Sequence, residues 1–179
     1  MKWRDITFWM VFGTLLVVLL TPAQGQPQLS ALRKYLSEGA QILKVVWADV
    51  DRDGRCEAVV AFKIVDATSI LYIPHEEHIV LAVLKPHNGT YRLLCEKEIG
   101  EYFSSLRVQD LNRDGVPEIA VMSAFAGADN ISMYLFIFQW NGYKFITLAA
   151  AQCFNGGVEL RDYDLDGRVE AKCWTEYWR

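Results

Sequence analysis

The sequence predicts an all-β fold of antiparallel repeats, about two and a half units of them, behind a short N-terminal helix. Three observations carry this prediction. An acidic ten-residue stretch occurs three times, as DVDRDGRCEA from Asp49, DLNRDGVPEI from Asp110 and DYDLDGRVEA from Asp162, with starts 61 and 52 residues apart. Short runs of β character flank every copy. An Asn-Gly turn leading into an aromatic-rich strand occurs twice, as HNGTYRLL from His87 and WNGYKFIT from Trp140.

Taken in order, residues 1–25 read as a secretory signal. Lys2 and Arg4 lead, an apolar run follows from Ile6 to Leu20, and Ala23-Gln24-Gly25 places small residues one apart, so cleavage is expected after Gly25. The competing reading is an uncleaved anchor. Its 15-residue run makes only about 22 Å of helix, short of the roughly 30 Å hydrocarbon core. Residues 26–41 follow as a helical cap: in PQLSALRKYLSEG, Leu29, Leu32 and Leu36 stand at helical spacing and Gly39 ends the segment. Such a helix would protect a sheet whose bare edge invites aggregation. Residues 42–179 form the β-repeat domain. ILKVVWA, SLRVQ and GVEL precede the acidic loops, and AVVAFKIV, IAVMSA and AKCWTEYW follow them. Each unit therefore reads strand, acidic loop, strand, long strand, Asn-Gly turn, strand, and the third stops after its second strand.

Composition narrows the function classes. The formal net charge is −4, and removal of Lys2, Arg4 and Asp5 with the signal makes it about −5. With no basic patch, nucleic acid is excluded as a partner. The remaining length suits one domain with a real core. All 4 cysteines, Cys56, Cys95, Cys153 and Cys173, lie beyond the signal, and an even number in an oxidising compartment predicts two disulfides. Spacing leaves three connectivities open; pairing within one unit would join Cys56 to Cys95 and Cys153 to Cys173. No CxxC or Cys/His spacing suggests zinc. HEEH at His75–His78 is not HExxH and reads as a connection between strands. Ser104, Ser105 and Ser123 lack a nucleophile elbow.

The loops carry the chemistry. Four carboxylates in nine positions, Asp49, Asp51, Asp53 and Glu57, repel one another unless something positive sits among them. In a tight loop the side chains at positions 1, 3 and 5 converge on one point. Glycine at position 6 permits the positive-φ bend, the carbonyl of position 7 turns inward, and an acid at position 9 closes the shell. Hard oxygens without His or Cys suit Ca²⁺ better than Mg²⁺. An EF-hand would need a glutamate at position 12, where this chain has Val60, Val121 and Cys173. The competing reading is an acidic turn that spends its Asp side chains on local backbone hydrogen bonds.

Asp-x-Asp/Asn-x-Asp-Gly-x-x-acid between two strands resembles the calcium loops of FG-GAP and VCBS repeats, and DLNRDGVPEIAV is the closest match. The resemblance spans residues 42–179 and implies β-propeller-blade-like units with up to three Ca²⁺ ions. It implies Asp49, Asp51, Asp53, the Arg55 carbonyl and Glu57 as the first ligand set. Asp110, Asn112, Asp114, the Val116 carbonyl and Glu118 would form the second, and Asp162, Asp164, Asp166, the Arg168 carbonyl and Glu170 the third. The family most often has Asp at position 9, where this chain has Glu each time, and AFAGAD at Ala124–Asp129 is a remnant of its marker strings.

Two and a half units do not close a propeller ring. Self-assembly, docking on a larger partner and a compact open β-domain are the three outcomes, of which the compact domain is favoured. The function expected is a non-catalytic calcium-binding module, secreted or periplasmic, that binds a protein or carbohydrate ligand. A membrane is a partner only if the N-terminal segment is retained, as in an envelope-tethered assembly subunit. The alternative is a hydrolase-like enzyme with its site on Asp66–Glu77 or Phe125–Asn130. Trp47, Trp140, Trp174 and Trp178 read as packing residues, with a ligand-stacking surface at the aromatic end CWTEYWR as the alternative.

Overall fold

Two uninterrupted apolar runs, AVVAF at Ala58–Phe62 and IVLAVL at Ile79–Leu84, require a strand pair buried on both faces, and the architecture supplies both covers. A computed structural model describes residues 29–65, 77–127 and 130–175. The expected signal segment, most of HEEH and Trp178 lie outside the described residues. Among the described residues no helix is long and apolar enough to cross a membrane.

Helix α1 (Leu29–Arg33) leads into β1 (Gln41–Ala48), β2 (Glu57–Val65), β3 (Glu77–His87) and β4 (Thr90–Gly100). Then follow β5 (Tyr102–Gln109), β6 (Glu118–Ala126), β7 (Ile131–Trp140) and β8 (Phe145–Phe154), and finally β9 (Gly156–Arg161) and β10 (Glu170–Thr175). Strands β1 to β4 form one antiparallel sheet in chain order, β5 to β8 a second, and β9 with β10 a third of two strands. The all-β expectation holds; none of the three sheets is closed.

The sheets stack face to face, and alternation sorts the side chains between layers. From the first sheet, Val59, Ala61, Ile79, Leu81 and Val83 meet Leu106, Ile119, Val121 and Phe138 of the second. On the opposite face, Ala58, Val60, Phe62, Val80, Ala82 and Leu84 enclose Leu32 of α1. The second sheet turns Ala120, Met122 and Leu135 toward Val158 and Leu160 of the third. The helix therefore covers a face of the first sheet and not an edge. Leu32 does the packing, while Leu29 is more than half exposed.

The two Asn-Gly turns differ. Asn88 (φ 48°) and Gly89 (φ 74°) join β3 to β4 directly, both in the left-handed region that a two-residue primed turn requires. At the second, Asn141 opens a longer loop, and its Oδ1 accepts from the amides of Tyr143 and Lys144 at 3.1 and 3.0 Å.

One of the two expected disulfides forms. Cys153 and Cys173 are bonded, with Cα atoms 6.0 Å apart. The bond does not lie within a unit, as the sequence suggested: Cys153 belongs to β8 of the second sheet and Cys173 to β10 of the third. The expected Cys56–Cys95 bond is absent, and both thiols are free. Cys95 lies in β4, opposite Val83 of β3. Cys56 immediately precedes β2, so β3 stands between them. Two strand spacings amount to about 9.5 Å, beyond the roughly 7 Å Cα separation that a disulfide spans.

Candidate metal loops

Each acidic loop joins the first strand of its sheet to the second, and a single hydrogen-bond scheme repeats in all of them. The position 6 amide donates to the position 1 carboxylate: Gly54 to Asp49 at 2.9 Å, Gly115 to Asp110 at 2.9 Å, and Gly167 to Asp162 at 2.8 Å. The position 5 amide donates to the position 3 side chain: Asp53 to Asp51, Asp114 to Asn112 and Asp166 to Asp164. The amides of Arg55, Val116 and Arg168 donate to the carboxylates of Asp53, Asp114 and Asp166. Glu57, Glu118 and Glu170 reach back to accept from the position 2 amides of Val50, Leu111 and Tyr163 at 3.0, 2.7 and 2.8 Å. The bends need the left-handed region at two places. The glycines at position 6 have φ of 86°, 81° and 84°, and Arg52, Arg113 and Leu165 at position 4 have 62°, 64° and 63°.

This network is what an acidic turn would make, and it leaves carboxylate oxygens over. Asp49, Asp51 and Asp53 bring one oxygen each within 4.8 Å of one another, as do Asp110, Asp114 and Glu118, and Asp162, Asp164 and Glu170. Oδ1 of Asp110 and Oδ1 of Asp162 are buried without a hydrogen-bond partner, as is Oε1 of Glu57. Such atoms are costly unless a cation or donor meets them. Position 9 belongs to the converging set in the second and third loops; in the first, the set omits Glu57. Arg55, Val116 and Arg168 take part through their amides.

The third strand of each large sheet adds a residue that the loop motif does not contain. Ala58 pairs with Leu84, which sets Lys85 beside Glu57. Its ammonium bonds Asp51, lies 2.7 Å from Asp53 Oδ2 and 4.0 Å from Glu57 Oε1. In the second sheet Gln139 pairs with Glu118, and its Nε2 donates to Asp114 Oδ2 at 2.8 Å and Glu118 Oε1 at 2.6 Å. The third sheet has two strands, so among its described residues no third strand faces Glu170. Lys85 and Gln139 escape a reading of the loops because they lie far along the chain. The trace they leave is a polar residue two or three places ahead of each Asn-Gly.

The electrostatics follow these contacts. Burial, with the Asp51 charge beside it, pushes the Glu57 carboxyl up to about 7. Glu118 is also raised, chiefly by burial. Asp53 is lowered by its bond to Lys85, and Asp114 by its bond to Gln139. Desolvation pulls Lys85 down, and its bonds to Asp51 and Asp53 more than reverse this, leaving it raised.

Neighbouring loops touch. The Leu111 carbonyl accepts from the Val169 amide at 2.8 Å. The Arg113 guanidinium lies against Gly167, and the charge of Arg52 acts on Asp114.

His78 faces Glu98 at 2.9 Å, and buried Ser123 donates its hydroxyl to the Ile99 carbonyl. Trp140 packs on Phe145, with ring centroids 5.1 Å apart. Trp174 lies over Gly157, its partner across the hairpin. No protein-family model, curated protein or solved structure matches the chain. The resemblance to FG-GAP and VCBS repeats rests on the loop residues alone.

Proposed function

We propose that this protein is an exported, non-catalytic β-repeat module in which Ca²⁺ bound at the acidic loops fixes the sheets that present a ligand-binding surface. Its sheets are blade-like units of the FG-GAP and VCBS kind, and its ligand is a protein or a carbohydrate. The observation that carries the reading is the repetition: one hydrogen-bond scheme in three loops holds carboxylates of like charge within 4.8 Å of one another. Buried oxygens without partners on Asp110 and Asp162 support it, since the donor set is hard oxygen throughout.

Calcium that binds only the folded state stabilises it by RT ln(1 + [L]/Kd), about 2.7 kcal/mol at a concentration of 100 Kd. For a chain of this size that is a rise of about 5–10 °C in Tm. Thermal melting in millimolar calcium and in EDTA, with metal content measured on the purified protein, tests the reading. Equal melting in both buffers together with no bound metal would refute it.

A further inference from the structure

We infer that Lys85 is a built-in counter-ion that occupies the cation position of the first loop, so that this loop holds no metal and the calcium of the protein is confined to the second and third. The ammonium sits among oxygens of positions 3, 5 and 9: it bonds Asp51, lies 2.7 Å from Asp53 Oδ2 and 4.0 Å from Glu57 Oε1. Those are three of the side chains an ion would use. Glu57 has no exposed surface, and its Oε1 has no hydrogen-bond partner. Lys85 stands in β3 beside Glu57 and its side chain is 18% exposed, so the charge is held there by the sheet and does not reach in from solvent.

Position 1 agrees. In the first loop both Asp49 oxygens are used by backbone, Oδ1 by the Asp53 amide at 3.0 Å and Oδ2 by the Gly54 amide at 2.9 Å. In the other two loops Oδ1 of that aspartate is buried and free. The residue facing position 9 thus grades the loops, from a cation at Lys85, through a neutral amide at Gln139, to no third-strand residue among those described in the third sheet. An ammonium and a divalent cation that share three carboxylates exclude each other by charge and by volume. An amide does neither, since turning Gln139 about its last torsion offers a carbonyl oxygen to an ion.

The count of ions rests on the calcium reading; the role of Lys85 in the first loop does not. Bound calcium is measured by equilibrium dialysis on the full chain, and melting in EDTA is measured on the same samples. The native protein should hold two ions, Lys85→Gln three, and Asp51→Asn in the native background still two. Three ions in the native protein, a loss of one in Asp51→Asn, or a count fixed at two in Lys85→Gln would overturn the inference. In EDTA, Lys85→Gln should melt several degrees below the native protein, and the difference should shrink in the Asp51→Asn background. Equal melting overturns it as well. If the native protein binds no calcium, the calcium reading fails and the EDTA comparison alone decides the role of Lys85. Should Lys85→Gln not fold in either buffer, Lys85→Arg keeps the positive charge and should hold two ions; three would again overturn the inference.

Discussion

Asp114 separates a metal loop from an acidic turn at a single position. Its Oδ1 accepts from the Val116 amide at 2.7 Å, and its Oδ2 is bonded by Gln139 and Asn112. Asparagine keeps the shape and an acceptor for Val116 while removing one negative charge from the set. Asp114→Asn is therefore expected to melt lower than the native protein in calcium, and lower by a smaller margin in EDTA, where only the acceptor for the Gln139 and Asn112 amides is lost. Full stability and full metal content in saturating calcium would show that Asp114 is not a ligand. Glu57 offers a test by pH. Folding raises its carboxyl from 4.5 to about 7, chiefly by burial, so the folded state binds this proton more tightly than the unfolded chain. The stability that the proton contributes is full below about 4.5 and is lost as the pH rises through 7. In metal-free buffer Glu57→Gln, which imitates the protonated form, should match the native protein near pH 4.5 and melt higher at pH 8. A gap that does not change across this range would contradict the assignment.

At the scale of elements, β2 and β3 do most of the organising. Each is buried on both faces, odd-numbered residues toward the second sheet and even-numbered ones toward α1. That is why Ala58–Phe62 and Ile79–Leu84 run apolar without a break, and why their register is fixed, since a slip of one residue would exchange the two faces. Phe62 is the largest of these fully buried side chains and packs in the cluster that holds Leu32. Phe62→Ala should cost about 3–5 kcal/mol, by lost transfer energy and by the cavity it leaves. Chemical denaturation measures this, and a loss under about 1 kcal/mol would mean that the helix does not seal that face.

Across the whole molecule, four layers hold one another: α1, two large sheets and a hairpin. The helix contributes only Leu32 in full burial, while the hairpin at the other end is fastened covalently. The Cys153–Cys173 bond closes a separation of 20 residues, for which chain entropy gives about 3 kcal/mol. Reduction should lower Tm in calcium and in EDTA alike, since the bond does not depend on the ion. Before reduction, alkylation should label exposed Cys56 quickly and Cys95 slowly, because burial raises the Cys95 thiol and hides it. Cys153 and Cys173 should label only after reduction. Labelling of all four in the native protein would contradict the bond. The loops also join the layers, through Val169 to Leu111 and through Arg113 at Gly167, so metal binding at one loop is expected to stiffen its neighbour.

The sequence by itself determined the strand class, the repeat and the loop conformation. These are local: apolar runs, Asn-Gly turns, and Asp and Gly at fixed offsets make their hydrogen bonds within a few residues, and the three loops repeat them position by position. Leu32 was legible as a core residue of the helix for the same reason. What only the tertiary structure decided concerns residues brought together from a distance. The pairing of β2 with β3 placed an ammonium in the first loop, and the pairing of β6 with β7 placed an amide in the second. Stacking put Cys153 beside Cys173 across two sheets, and an intervening strand kept Cys56 from Cys95. Spacing along the chain does not encode such contacts, because the lengths of the strands and connections between partners are free to vary while the sheet fixes which side chains face one another.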